Sequence, residues 1–187
     1  MGYSWSAMRK VLEQENICDS LKGRIQYFAT RYKKSHDQEG RVAIRLDGNE
    51  ILKSNFYDWN IKSYQAWDEV DTNKGRQTCY AESGEQIELG ALNKGGFDPF
   101  CFYNAFHVYR NSSIDESLAS SDPVVRLFAI FDKRVGKRRL HNILSEIDLQ
   151  PKWLQTFYWL RLEADGIIKT VNEEGTTIYV ESYKQPG

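Results

Sequence analysis

Apolar residues along the chain change period several times, and those changes divide it into elements. Trp5, Met8, Val11 and Leu12 share one face of a helix running from a Ser4 or Ser6 cap to about Glu15. Between residues 22 and 34 the period falls to two: Ile25, Tyr27 and Ala29 alternate with Arg24, Gln26, Phe28 and Thr30, which predicts a strand. Val42, Ile44 and Leu46 alternate again, Asp47-Gly48 is a hairpin turn, and residues 50–53 return as a third strand. A three-stranded antiparallel meander over residues 23–54 follows. Phe56, Trp59, Ile61, Tyr64, Trp67 and Val70 then form a helical apolar face over 56–70. Residues 71–96 are interrupted by glycines, and short strands near 78–81 and 86–89 are the expectation there.

The second half is helical and carries explicit start signals. Asp98-Pro99 is a cap followed by proline at the first helical position, opening a helix to about Arg110. Ser113 and Glu116 make a capping box for a short helix ending near Ser120. Asp122-Pro123 opens a helix that is apolar on most sides, from Val124 to Phe131, and therefore buried; Gly136 is its expected end. Leu140, Ile143, Leu144 and Ile147 line the next helix, and Pro151 opens another that reaches about Asp165 before Gly166. Residues 167–171 and 176–183 read as a β-hairpin. The fold class is α+β: an N-terminal helix and three-stranded antiparallel meander, then a helical array and a C-terminal β-hairpin. A length of 187 residues fits a single domain over 1–187; the alternative is a meander lobe, 1–96, and a mainly helical lobe, 97–187.

Composition narrows the setting. Hydrophobic residues are 41% and charged ones 27%, as in an ordinary globular protein, and the net charge of −1 supplies no global field toward nucleic acid or membrane. Binding of either kind would need a local patch. Cys18, Cys79 and Cys101 are odd in number and contain no CxxC pair, which argues against a disulfide framework or zinc knuckle and fits the cytoplasm. MGYSWSAMRK lacks a signal-peptide core, and the densest apolar run, Val124–Phe131, is short and interrupted by Arg126. The expectation is a cytoplasmic protein that does not enter the membrane, with no metal or cofactor.

Candidate chemistry concentrates in one turn. Lys133, Arg134, Lys137, Arg138 and Arg139 place five cations around Gly136. Lys133 and Arg134 would sit in the last turn of one helix, where cations are favoured. Lys137, Arg138 and Arg139 would open the next, where each is disfavoured by about 0.3–1 kcal/mol. An anion would relieve that conflict: a phosphate, a carboxylate or an acidic partner, clamped by Arg138 or Arg139. Internal acids such as Asp132, Glu163 or Asp165 would relieve it equally well. No phosphate-binding GxxxxGK[ST] loop is present.

Two further patterns carry weaker signals. Helix, helix and hairpin in the C-terminal block have the outline of a winged helix, but the positions expected to face a groove are Thr156, Phe157, Tyr158 and Leu160. A base reader needs polar or cationic groups there. The wing offers Lys169 against Glu173 and Glu174, a poor phosphate contact. In the meander, His36 beside Asp37, with Arg31 and Arg41, could form a proton-transfer site in a cleft, or simply a solvated hairpin tip. His107 lies among Phe102, Tyr103, Phe106 and Tyr109 and reads as packed. There is no HExxH, no GxSxG and no metal-ligand spacing.

The stretches KGRIQYFATRYKKSHDQEGRVAIRLDGNEIL, SSDPVVRLFAIFDKRVGKRRL and FYWLRLEADGI resemble those of a bacterial protein family of similar length that has no assigned activity. The resemblance implies a bacterial or phage cytosolic protein and carries over no functional residue. The reading expected from the residues is a non-enzymatic interaction or regulatory protein, of adaptor or toxin-neutralising type. It would meet an acidic protein surface or a phosphate-bearing ligand through the basic turn. Nucleic-acid binding by the C-terminal block and a hydrolase or transferase site at His36 and Asp37 stand behind it.

Overall fold

Ser4 caps the first helix, its Oγ accepting from the Ala7 amide at 3.2 Å. Helix α1 (Trp5–Lys10) continues into a wider turn over Val11–Glu15, closed by the Asn16 amide on the Val11 carbonyl at 2.9 Å. The computed structural model describes residues 3–31, 34, 40–70, 76–171 and 177–181; Arg31, 76–82, 168–171 and 177–181 are described by backbone alone.

Strands β1 (Ile25–Arg31), β2 (Gly40–Leu46) and β3 (Asn49–Asn55) form an antiparallel sheet in that order. Asp47 and Gly48 both take positive φ, 50° and 84°, the primed turn whose twist matches the flanking strands. Tyr27, Val42 and Ile44 point inward and are buried beneath α1 and α4 (Pro99–Asn111). At Gly40 the sheet and α4 come so close that a Cβ would lie 2.2 Å from the Thr30 carbonyl oxygen and 2.5 Å from Pro99 Cγ. The opposite face is polar: the Arg41 and Arg45 guanidiniums lie 5.8 and 5.0 Å from the Phe28 ring centre, and both pair with Glu50.

Helix α2 (Phe56–Val70) follows β3 directly, its first amides, Tyr57 and Asp58, held by Asn55 Oδ1 at 2.8 and 3.1 Å. The next segment corrects the sequence reading: the strands expected near 78–81 and 86–89 are one helix, α3 (Arg76–Asn93), bent at Ser83. Ile87, Ala91 and Leu92 are buried at helical spacing, Ile87 against Ala66 of α2 and Leu92 in the main core. Gly90, which lowers helix propensity in isolation, is where the two helices touch, since a Cβ there would stand 2.7 Å from Ala66 Cβ. Close packing thus overrides a local signal that looked like a loop.

The later helices begin where their caps place them. Asp98 accepts from the Cys101 amide at 2.9 Å to start α4, and Ser113 and Glu116 complete the capping box of α5 (Ile114–Leu118). Asp122 accepts from the Val124 amide at 2.7 Å to start α6 (Pro123–Ile130). Every residue of α6 except Arg126 is buried, and the helix packs against α3, α4, α5 and α8 (Lys152–Ala164). It ends at Ile130, six residues before Gly136, because the chain beyond turns to pair with the N-terminal segment at an Ile17–Asp132 bridge. Helix α7 (Lys137–Ile143) runs into a tighter turn over Leu144–Leu149, and α8 leads into the hairpin β4 (Ile167–Val171) and β5 (Thr177–Glu181).

One buried cluster runs from Met8 through Tyr27, Ile44, Phe97 and Phe128 to Leu154 and Ile167; a smaller one joins Ala66 and Ile87. The fold is α+β, as expected. Among the described residues no helix is long and apolar enough to cross a membrane.

Candidate functional site

The Gly136 turn is built outward from Asp132. The Cys18 amide donates to the Phe131 carbonyl at 2.8 Å and the Lys133 amide to the Asn16 carbonyl at 2.7 Å, so residues 16–18 fasten 131–133 from outside. That pairing drives Asp132 inward to 1% exposure. A buried carboxylate is costly unless its oxygens are filled, and here they are. Oδ1 accepts from the Arg134 amide at 2.8 Å and its Nε at 3.0 Å; Oδ2 accepts from the second arm of the guanidinium at 2.7 Å and from the Tyr109 hydroxyl. Tyr109 in turn accepts from Asn16 Nδ2 at 2.9 Å. Burial first, and then the bond to Asp132, push the Tyr109 phenol far above its ordinary range, so it stays a donor.

Arg139 is held from the other side. Its Nε and a terminal nitrogen donate to the two Asp115 oxygens at 2.6 and 2.8 Å, and that bidentate pair holds the Asp115 carboxyl below its usual range. The dipole conflict read from the sequence is therefore answered partly from within. The placement of Lys133 and Arg134 in a helix's last turn is corrected: α6 ends at Ile130, and both lie in the connecting turn. Lys137, Arg138 and Arg139 do open α7, whose cap residue Gly136 provides no side chain. Of the internal acids considered, Asp132 pairs with the turn, Asp165 pairs with Arg161, and Glu163 is exposed. Lys133 and Arg138 are exposed, and neither forms an ion pair among the described residues.

Arg161 was missed by sequence reasoning. It sits in α8 at 2% exposure, donating to the Val135 carbonyl at 2.8 Å, to Asp165 Oδ1 at 3.1 Å and to Ser20 Oγ at 3.2 Å. Ser20 donates onward to Asp165 Oδ1 at 2.7 Å, while Arg161 Nε has no acceptor. One guanidinium thereby ties the N-terminal segment, the turn and the end of α8 together. A signal existed: Leu154, Phe157, Tyr158, Arg161 and Leu162 share one helical stripe, and a cation inside an apolar stripe marks a buried partnered charge.

Between these parts lies a cleft of about 570 Å3 whose polar walls are Asp19, Ser20, Lys133, Lys137, Arg161 and Asp165. The structure thus brings Lys133 and Lys137 to one opening, with Arg138 outside it and Arg134 and Arg139 turned to internal acids.

The other candidates fare differently. His36 and Asp37 lie outside the described residues; Arg31 ends β1, and Arg41 is engaged by Glu50 and Phe28 on the outer sheet face. On α8, Phe157 and Tyr158 are buried, contrary to the outward positions assumed for a groove reader, because their side of the helix packs against α6. Burial pushes the Tyr158 phenol up to about 12. Thr156 is exposed and Leu160 half-buried; the Lys169 side chain, Glu173 and Glu174 lie outside what is described. His107 packs against the Tyr3 ring, tilted by 50° with the ring centres 5.8 Å apart. Among the described residues no group of three or more His, Cys, Asp or Glu is arranged to hold a metal ion.

Fold and site together define an α+β protein whose N-terminal segment, basic turn and last helix are locked by two buried charged residues. The chain matches the model of the SF0329 protein family over residues 4–162 and belongs to that family. The match takes in the whole basic turn and most of α8. No curated protein and no solved structure matches the chain.

Proposed function

We propose that the protein is a non-enzymatic cytoplasmic interaction protein that engages an anionic partner, an acidic protein surface or a phosphate-bearing ligand, at the Gly136 turn. One observation carries the reading: Arg134 and Arg139 are consumed by Asp132 and Asp115, while Lys133 and Arg138 stand exposed and form no ion pair among the described residues, Arg138 acting on Asp115 only at longer range. The paired arginines fix the turn, and the remaining cations face outward from a rigid support, which lowers the ordering cost of binding. The binding set accordingly narrows from five residues to Lys133 and Arg138. Charge-steered contacts of this kind weaken with salt.

The test is binding of polyglutamate and phenyl phosphate to the wild type and to a Lys133→Glu, Arg138→Glu variant, followed by fluorescence anisotropy and calorimetry. The wild type is expected to bind at least one probe at low salt, with the double reversal at least tenfold weaker. Binding of neither probe, or equal binding by the variant, would overturn the reading. A short DNA duplex belongs in the same series, because α7, α8 and the β4–β5 hairpin follow in winged-helix order and Lys152 and Thr156 are exposed on α8. Tighter binding to the duplex than to either probe would transfer the function to nucleic acid.

A further inference from the structure

We infer that the cavity between α2, α3 and α4 binds a small organic amine, an ammonium group carried on an apolar stem. The site is separate from the Gly136 turn and takes a ligand of the opposite charge.

The cavity measures about 340 Å3, at the small end of the roughly 300–1,000 Å3 typical of small-molecule sites. Trp59 of α2, Leu89 and Leu92 of α3 and Phe100 of α4 supply its apolar wall. Trp59 packs on Phe56 with ring centres 5.9 Å apart, and the Leu92 carbonyl accepts from Trp153 Nε1 at 2.9 Å. That wall is therefore in place before a ligand arrives, which lowers the ordering cost of binding.

Charge sets the sign of the ligand. Glu85, Glu88, Asp98 and Asp122 line the cavity, and no lysine, arginine or histidine does. None of these acids forms an ion pair among the described residues, and Arg126 acts on Asp122 only at longer range. Asp98 and Asp122 are held in place by capping bonds: Asp98 Oδ1 accepts from the Cys101 amide at 2.9 Å, and Asp122 Oδ1 from the Val124 amide at 2.7 Å. An ionised carboxylate offers about four lone-pair sites, so each cap keeps acceptor capacity for a ligand. Burial raises the Asp122 carboxyl above its ordinary range, against the pull of the Val124 and Val125 amides, and a cation beside it would favour the charged form.

Geometry then separates the classes of cation. Among the described residues no three acids converge to hold a metal ion, so the negative charge surrounds the space rather than focusing on one point. An ammonium on a hydrocarbon stem matches that distribution. Its donors meet the carboxylates, its stem meets the leucines, and its charge is attracted to the indole face of Trp59. An anion is repelled, and a neutral molecule of the same shape gains only the apolar contacts.

Calorimetry with phenethylamine and phenethyl alcohol, which share ring and chain and differ in head group, should give amine binding at least tenfold tighter than alcohol binding. Asp98→Asn with Asp122→Asn removes two charges and keeps both caps, because asparagine caps a helix about as well as aspartate. That pair should weaken phenethylamine at least tenfold. Glu85→Gln with Glu88→Gln, both exposed and outside any cap, should weaken it at least threefold and decides the matter where the first pair does not fold. Circular dichroism checks the fold of each. Lys133→Glu with Arg138→Glu should bind phenethylamine as the wild type does, so this inference and the anionic-partner reading stand or fall separately. No saturable phenethylamine binding, equal binding of the alcohol, or undiminished binding by either folded acid-to-amide pair would overturn the inference. So would tighter binding of a lysine-containing peptide, which would make the occupant a protein.

Discussion

Replacing Asp132 by alanine is expected to destabilise the fold by about 2–6 kcal/mol, the cost of leaving two buried polar groups without their acceptor. The carboxylate is 1% exposed and serves the Arg134 amide, the Arg134 guanidinium and the Tyr109 hydroxyl together. Its loss strands a buried phenol and a turn amide, each costing about 1–3 kcal/mol when left without a partner. The guanidinium itself is less affected, since the Arg134 side chain is 46% exposed and water can take over its charge. Asp132→Asn should recover part of the loss, because an amide oxygen can still accept. Combining Asp132→Ala with Tyr109→Phe should cost less than the two single changes added, since the phenol is then no longer orphaned. Urea unfolding monitored by tryptophan fluorescence provides the midpoints. A shift worth less than about 1 kcal/mol for Asp132→Ala would mean that the turn is held by something other than this carboxylate.

Arg161→Met is expected to cost about 2–3 kcal/mol, of the order of one buried carbonyl left unfilled together with the lost bonds to Ser20 and Asp165. Methionine matches the stem of arginine in length, so the loss reports on the fork rather than on a cavity. Arg161→Lys should restore little, because an ammonium cannot span the Val135 carbonyl and the Asp165 carboxylate as a planar guanidinium does. Both variants can be followed by thermal unfolding, with hydrogen exchange at Ser20 and Val135 separating local loosening from a global effect. Stability equal to wild type in Arg161→Met, with unchanged exchange at those two amides, would show that the three-way tie is not needed.

These expectations show where the chain speaks locally and where it does not. Asp98, Ser113 and Asp122 announce helix starts because a cap acts within three residues of itself, and Asp47-Gly48 announces a hairpin because its φ preferences are its own. The meander, α2 and the C-terminal hairpin were legible for the same reason. Helix α3 was not, since Gly90 looks like a break until Ala66 arrives from another helix to fill the space. The end of α6 was misplaced at Gly136 because the event that ends it is non-local: Asn16–Cys18 pairs with Phe131–Lys133 across more than a hundred residues.

The basic turn divides along the same line. Sequence alone located all five cations and the electrostatic conflict they create. It could not separate Arg139, whose partner Asp115 lies 24 residues away on α5, from Arg138 beside it, which faces water. Three-dimensional pairing sorts two residues with the same chemistry into a structural role and an open one. The partition leaves Lys133 and Arg138 unpaired among the described residues, and that is why an external anion is proposed.

Chemical-shift mapping of the isotope-labelled protein during a phenyl phosphate titration tests the location of that anion most directly. The account predicts saturable amide shifts centred on Lys133, Gly136 and Arg138, with Arg45 and Glu50 on the distant sheet face unmoved. Shifts that gather instead at the cleft lined by Arg41, Lys53 and Lys62, or a spectrum unchanged at saturating ligand, would contradict it.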